Sequence, residues 1–116
     1  MRTVIINKTA FPILYSVRAA IEIGKRYGSV NKALFGAENE GETIERVLDT
    51  LTEMLKAGKT YAEKEAGAKL PELPDREAML DGLSYKQIVA LRKEIVEAIN
   101  EDDRSDFSAE GSGKNA

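Results

Sequence analysis

Residues 42–66 read ETIERVLDTLTEMLKAGKTYAEKEA. Ile44, Val47, Leu48, Leu51, Met54 and Leu55, followed by Gly58, Tyr61 and Ala62, recur at helical spacing and fall on one stripe. Glu45, Arg46, Asp49, Glu53, Lys56 and Lys59 take the other side. One long amphipathic helix is expected here, with a polar face toward water. Gly58 sits on the apolar stripe, where glycine costs about 1 kcal/mol relative to alanine. That position points to close approach by another element, or to a kink. Gly67 is the expected end.

Upstream, Thr3-Val4-Ile5-Ile6 is β-branched and Ala10-Phe11-Pro12-Ile13-Leu14-Tyr15 is apolar, with Asn7-Lys8-Thr9 between them. This predicts a short β-hairpin. Pro12 cannot donate to a ladder, so the second strand is an edge or very short. An isolated hairpin is marginal in water, so this one must lie against the helices or pair with another chain. Ser16 is placed to cap a helix over 16–27, in which Val17, Ala20, Ile21 and Gly24 recur at helical spacing. Lys25 and Arg26 suit its negative end, and Gly28 suits the position after it. Ser29 caps a second short piece reaching Phe35, and residues 36–41 form a polar loop.

Downstream, Leu70-Pro71-Glu72-Leu73-Pro74 is an extended connector, because each proline disfavours helix in the residue before it. Asp75 caps a short helix to about Leu80. Ser84 and Gln87 form a capping-box pattern that starts the last helix. Ile88, Leu91, Ile95, Ala98 and Ile99 make one face of that helix, and Tyr85, Val89 and Val96 widen it sideways. An arc this wide needs two neighbours. The apolar pattern stops at Asn100. A single domain is therefore expected over 1–101, followed by a flexible acidic tail over 102–116. The fold class is mainly α (α+β), with a hairpin followed by four to five helices.

Composition removes much chemistry. The chain has 116 residues, enough for one domain, with 17 basic and 20 acidic side chains and a net charge of −3. Residues 101–116 hold five acidic and two basic side chains, which accounts for the whole imbalance. The neutral body offers no basic footprint for nucleic acid and no patch for anionic lipid. Cysteine and histidine are absent. Thiolate metal sites, cysteine nucleophiles and histidine-based catalysis are therefore excluded. No apolar run approaches the ~20 residues of a membrane span. The acidic pairs lack the ligand spacing of a calcium loop, and the glycines are too scattered to cradle a phosphate. The aromatic residues Phe11, Tyr15, Tyr27, Phe35, Tyr61 and Tyr85 read as core and interface. No enzyme activity, cofactor or metal is expected. The string Gly82-Leu83-Ser84-Tyr85-Lys86-Gln87-Ile88-Val89-Ala90-Leu91 has the form of a first helix of a helix-turn-helix. Arg92-Lys93-Glu94-Ile95-Val96 simply continues that helix where a turn is needed. A small helical DNA-binding regulator built on 82–100 stands as the alternative reading.

One resemblance is specific enough to name. The hairpin with Phe11-Pro12-Ile13-Leu14-Tyr15-Ser16 is followed by Arg18-Ala19-Ala20-Ile21-Glu22-Ile23, Tyr27-Gly28-Ser29 and Ala33-Leu34-Phe35-Gly36. This pattern resembles the tail assembly chaperones of long-tailed bacteriophages and prophages, especially those of Gram-positive hosts. The later helices and the proline-rich break are similar in order, so the resemblance spans about residues 2–100. The family often carries Asn-Gly in the hairpin turn, where this chain has Asn7-Lys8.

The resemblance implies a non-enzymatic role in the cytoplasm of the bacterial host. Such chaperones coat the helix-rich tape measure protein, protect it from aggregation and recruit tail tube protein, so self-association is implied too. It also implies that a longer product can arise by a −1 ribosomal frameshift. Gly113-Lys114-Asn115 can be encoded GGA-AAA-AAC, which contains a slippery A-AAA-AAC. The residues expected to meet partners are Phe11 and Ile13 on the hairpin and Tyr85, Val89 and Val96 on the last helix.

Overall fold

The computed structural model describes residues 1–107. A hairpin of β1 (Thr3–Ile6) and β2 (Thr9–Pro12) precedes five helices: α1 (Val17–Tyr27), α2 (Val30–Phe35), α3 (Glu40–Glu65), α4 (Arg76–Gly82) and α5 (Tyr85–Phe107). The expected fold class is the observed one. Helix α5 runs through Phe107, beyond the expected boundary at 101/102. The rest of the expected tail, 108–116, lies outside the described residues.

Helix α3 is the axis of the domain. Val47, Leu48, Leu51, Met54 and Leu55 are fully buried, and β2, α1, α2 and α5 all pack on it. The apolar stripe is covered as far as Gly58 and then runs out, leaving Tyr61 exposed. Asn39 caps the helix by accepting from the Glu42 N–H at 2.9 Å, and Gly67 follows its end at φ +65°.

The hairpin has a two-residue turn. Thr9 pairs with Ile6, so only Asn7 and Lys8 turn the chain, at φ 51° and 69°. Positive φ at both central residues matches the twist of the strands. Lysine adopts it at a cost of about 1 kcal/mol, which asparagine largely avoids. With that register, Val4 and Ile6 of β1 and Phe11 of β2 point inward, and Ile13 follows them into the core. Phe11 and Ile13 are therefore core residues of their own domain, which corrects the expectation that they face a partner. A side-chain period of two permits only one buried face. It is Ile5, on the other face, that stands in solvent.

Gly58 shows why the hairpin stays down. A Cβ there would lie 2.2 Å from the Pro12 carbonyl oxygen and 3.0 Å from the Ile13 Cα. The chain leaving β2 thus crosses α3 backbone against backbone. The Leu14 N–H donates to the Met54 carbonyl at 3.1 Å, the acceptor that also serves the Gly58 N–H within the helix. Close approach, not a kink, is the reason for glycine.

Helix α1 is capped as expected. The Ser16 hydroxyl accepts from the Ala19 N–H at 3.1 Å, and Gly28 closes the far end at φ +89°. Its buried face is another matter. Ala19 and Ile23 point inward, while Val17 and Ile21 of the predicted stripe are 79% and 51% exposed. Tyr27 shares the Ala19–Ile23 row, and its hydroxyl donates to Asp49 on α3. That bond holds the same row against α3.

The polar side of α3 is only partly solvated. Arg76, at the start of α4, donates to Asp49 at 2.6 Å and also binds Glu45. Arg26 lies 3.5 Å from Asp49 and 3.6 Å from Glu53. Glu53 is only 8% exposed and has Lys56 at 3.7 Å as a second cation. At the opposite edge, Arg2 binds Glu94 at 2.9 Å and also pairs with Glu97 and Glu101, tying the chain just before β1 to α5. Hydrogen bonding to Glu94 is the main cause that raises the Arg2 pKa.

Two substitutions test this packing. Helix propensity alone predicts that Gly58→Ala stabilises by about 1 kcal/mol. The crossing reverses the sign, and a net loss of about 2 kcal/mol is expected by thermal or urea unfolding. Burial first, then the bond to Asp49, raises the Tyr27 pKa above its ordinary 10.0. Its contribution is thus complete below about pH 10 and is lost as pH rises through the higher folded value. Tyr27→Phe should cost about 1 kcal/mol at neutral pH and flatten the decline in stability above about pH 10.

Candidate partner-binding surface

Helix α5 begins at a completed capping box. The Ser84 hydroxyl accepts from the Gln87 N–H at 3.2 Å, and the Gln87 side-chain Oε1 accepts from the Ser84 N–H at 2.8 Å. The box sets the helix phase, so Ile88, Leu91, Ile95 and Ala98 turn into the core. One row over, Tyr85, Val89, Arg92 and Val96 form a ridge at spacings of four, three and four.

Of the five residues marked from sequence, this ridge brings three together. Tyr85 and Val89 are exposed, Val89 at 37%. Val96 is partly buried and packs against the core. Phe11 and Ile13 are not part of the surface.

The ridge gains a residue that the sequence reading did not single out. Arg92 lies with its guanidinium 5.0 Å from the centre of the Phe35 ring and donates to the Leu34 carbonyl at 3.2 Å. Arg92 thus fastens the end of α2 to α5. Phe35 stays 56% exposed and extends the apolar surface. Its exposure follows from α2: Ala33 and Leu34 take the buried positions, which turns the next side chain outward. Lys86 and Lys93 border the ridge on its outer side and are both exposed. The surface suits a helix with an apolar face and an acidic flank.

Elsewhere, a shallow groove of about 320 Å³ runs between the start of α1 and the end of α3, floored by Leu14, Ala19, Ala57 and Tyr61. Among the described residues, no three acidic side chains are grouped to hold a metal ion. No described helix is long and apolar enough to cross a membrane. Helix α5 runs unbroken through 92–96, with no second helix set across a turn there. Comparison with protein families, curated proteins and solved structures finds no match for this chain.

Core and ridge should separate under mutation. Ile95→Asp places a charge at a fully buried position and is expected to cost more than about 3 kcal/mol, enough to unfold much of the population. Val89→Asp is expected to stay within about 0.5 kcal/mol of the parent, because the position is already wet. Thermal melts followed by circular dichroism distinguish the two.

Proposed function

We propose that this chain is a tail assembly chaperone of a long-tailed phage or prophage, working in the cytoplasm of the bacterial host. It binds the tape measure protein, keeps apolar helical surface out of water and recruits tail tube subunits. The observation that supports this reading is the exposure of Tyr85, Val89 and Phe35 beside a core that closes without them, with Val96 continuing their ridge where it packs on that core. From Tyr85 to Val96 the ridge is about 16 Å long, or three turns of helix. That length fits three turns of a partner helix laid alongside. One such contact is weak, but many copies bound along one long rod, and to each other, hold by avidity. The chemistry asked of the chain is recognition, for which an apolar ridge with a cationic border is sufficient.

The nucleotide sequence across codons 113–115 and downstream is the direct test. A slippery heptamer, an overlapping −1 frame and then a very long helix-rich reading frame are expected. Helical segments of that product should bind the full chain, and Val89→Asp should weaken binding at least tenfold without loss of fold. A gene lacking these neighbours refutes the phage assignment. Binding unchanged in Val89→Asp refutes the ridge as the docking surface.

A further inference from the structure

Three rows of side chains run side by side along the outer surface of α1. Ala20 and Gly24 form a row of small residues, Val17 and Ile21 a row of large ones, and Arg18 and Glu22 a charged row. Val17 and Ile21 are among the exposed large apolar residues of the domain, while the Ala19–Ile23 row of the same helix is buried. A Cβ at Gly24 would meet nothing within 4 Å, so the small row is open to an incoming backbone. Arg18 has no ion pair among the described residues, and Glu22 reaches only Lys25, at 3.7 Å.

We infer that α1 pairs with α1 of a second copy of this chain, antiparallel and about a two-fold axis near Ala20 and Ile21. The geometry selects that occupant because the face is complementary to itself in both shape and charge. In an antiparallel pair, Val17 lies at the level of the partner's Gly24, and Ile21 at the level of the partner's Ala20. Each level thus holds one large and one small side chain. An antiparallel two-fold pair also brings like flanks together. Arg18 then stands opposite the partner's Glu22, and the same contact occurs twice. A parallel pair has neither match. Helix α1 is only about 16 Å long. The contact therefore buries less than the ~1,200 Å² of a stable interface. The dimer forms at high micromolar concentration and strengthens when copies line one rod. The inference rests on the reading of this chain as a self-associating assembly protein, and it names the surface.

Sedimentation velocity of the full chain over a range up to several hundred micromolar tests it, with Arg18→Glu and Glu22→Arg prepared separately. Both positions lie outside the core, and circular dichroism confirms the fold of each variant. The parent should dimerise with concentration. Each variant alone should dimerise at least tenfold more weakly, because like charges then face each other twice. An equimolar mixture of the two variants should regain the dimer, since every facing pair becomes Glu against Arg. Variants that dimerise as the parent does overturn the α1 surface but leave self-association standing. Weakened variants whose mixture fails to recover overturn the antiparallel pairing. A parent that stays monomeric throughout overturns the inference and the self-association in the functional reading together, leaving tape measure binding to its own test.

Discussion

The fold depends on one close crossing. Where the chain leaves β2, its backbone rests on α3 at Gly58, with no room for a Cβ. The contact is reinforced by the Leu14 N–H on the Met54 carbonyl. That bond gives a buried donor a partner it would otherwise lack when water is excluded. The crossing brings a hairpin that is marginal on its own against a helix long enough to support it. Val4, Ile6, Phe11 and Ile13 then close one end of the core. A larger residue at position 58 would lift the strand and open the ladder to water. A glycine that weakens α3 locally therefore stabilises the whole.

A second constraint is electrostatic. Asp49 receives Tyr27 from α1 and Arg76 from α4, with Arg26 nearby, so one carboxylate ties together three helices. A half-buried carboxylate is costly unless its lone pairs are satisfied, and here several donors converge on it. The same logic applies to Glu53 between Arg26 and Lys56. These residues belong to the polar side of a helix that sequence periodicity assigns to solvent. They meet α1 and α4 instead, because a 26-residue helix at the centre of a small domain is surrounded on more than one side.

The parts of this fold legible in the sequence were those set by local rules. Ser16, Ser29, Asp75 and the Ser84–Gln87 box each cap the helix they were expected to start. These caps depend on residues within three positions of one another. Gly58 was legible too, as a glycine on an apolar stripe. What local rules missed was direction. Val17 and Ile21 looked like the inward row of α1, yet Ala19 and Ile23 face the interior, in the row whose Tyr27 hydroxyl reaches Asp49 across 22 positions. Phe11 and Ile13 looked available to a partner, yet a two-residue turn sets a register that turns both inward. At the ridge, the width of the α5 arc announced surplus apolar surface. The cover that Arg92 and Phe35 give to part of it is a contact 57 positions apart in number, from 35 to 92, which spacing alone does not encode.

Apolar surface left over in a small domain is informative when the interior is already complete. The core is continuous from the hairpin through α3 to α5, and Tyr85, Val89 and Phe35, like the outer row of α1, lie outside it. The two surfaces differ in what they can accept. The ridge mixes Tyr85, Val89 and Phe35 with bordering lysines and has no small-residue row to match its own large ones, so it suits a different helix. The α1 face alternates large and small residues and carries both signs of charge in one row, so it suits itself. On the proposed reading one face takes a foreign helix and the other a second copy, so the domain would bind a rod and link to a neighbour on that rod. The two contacts then strengthen each other although each alone is weak.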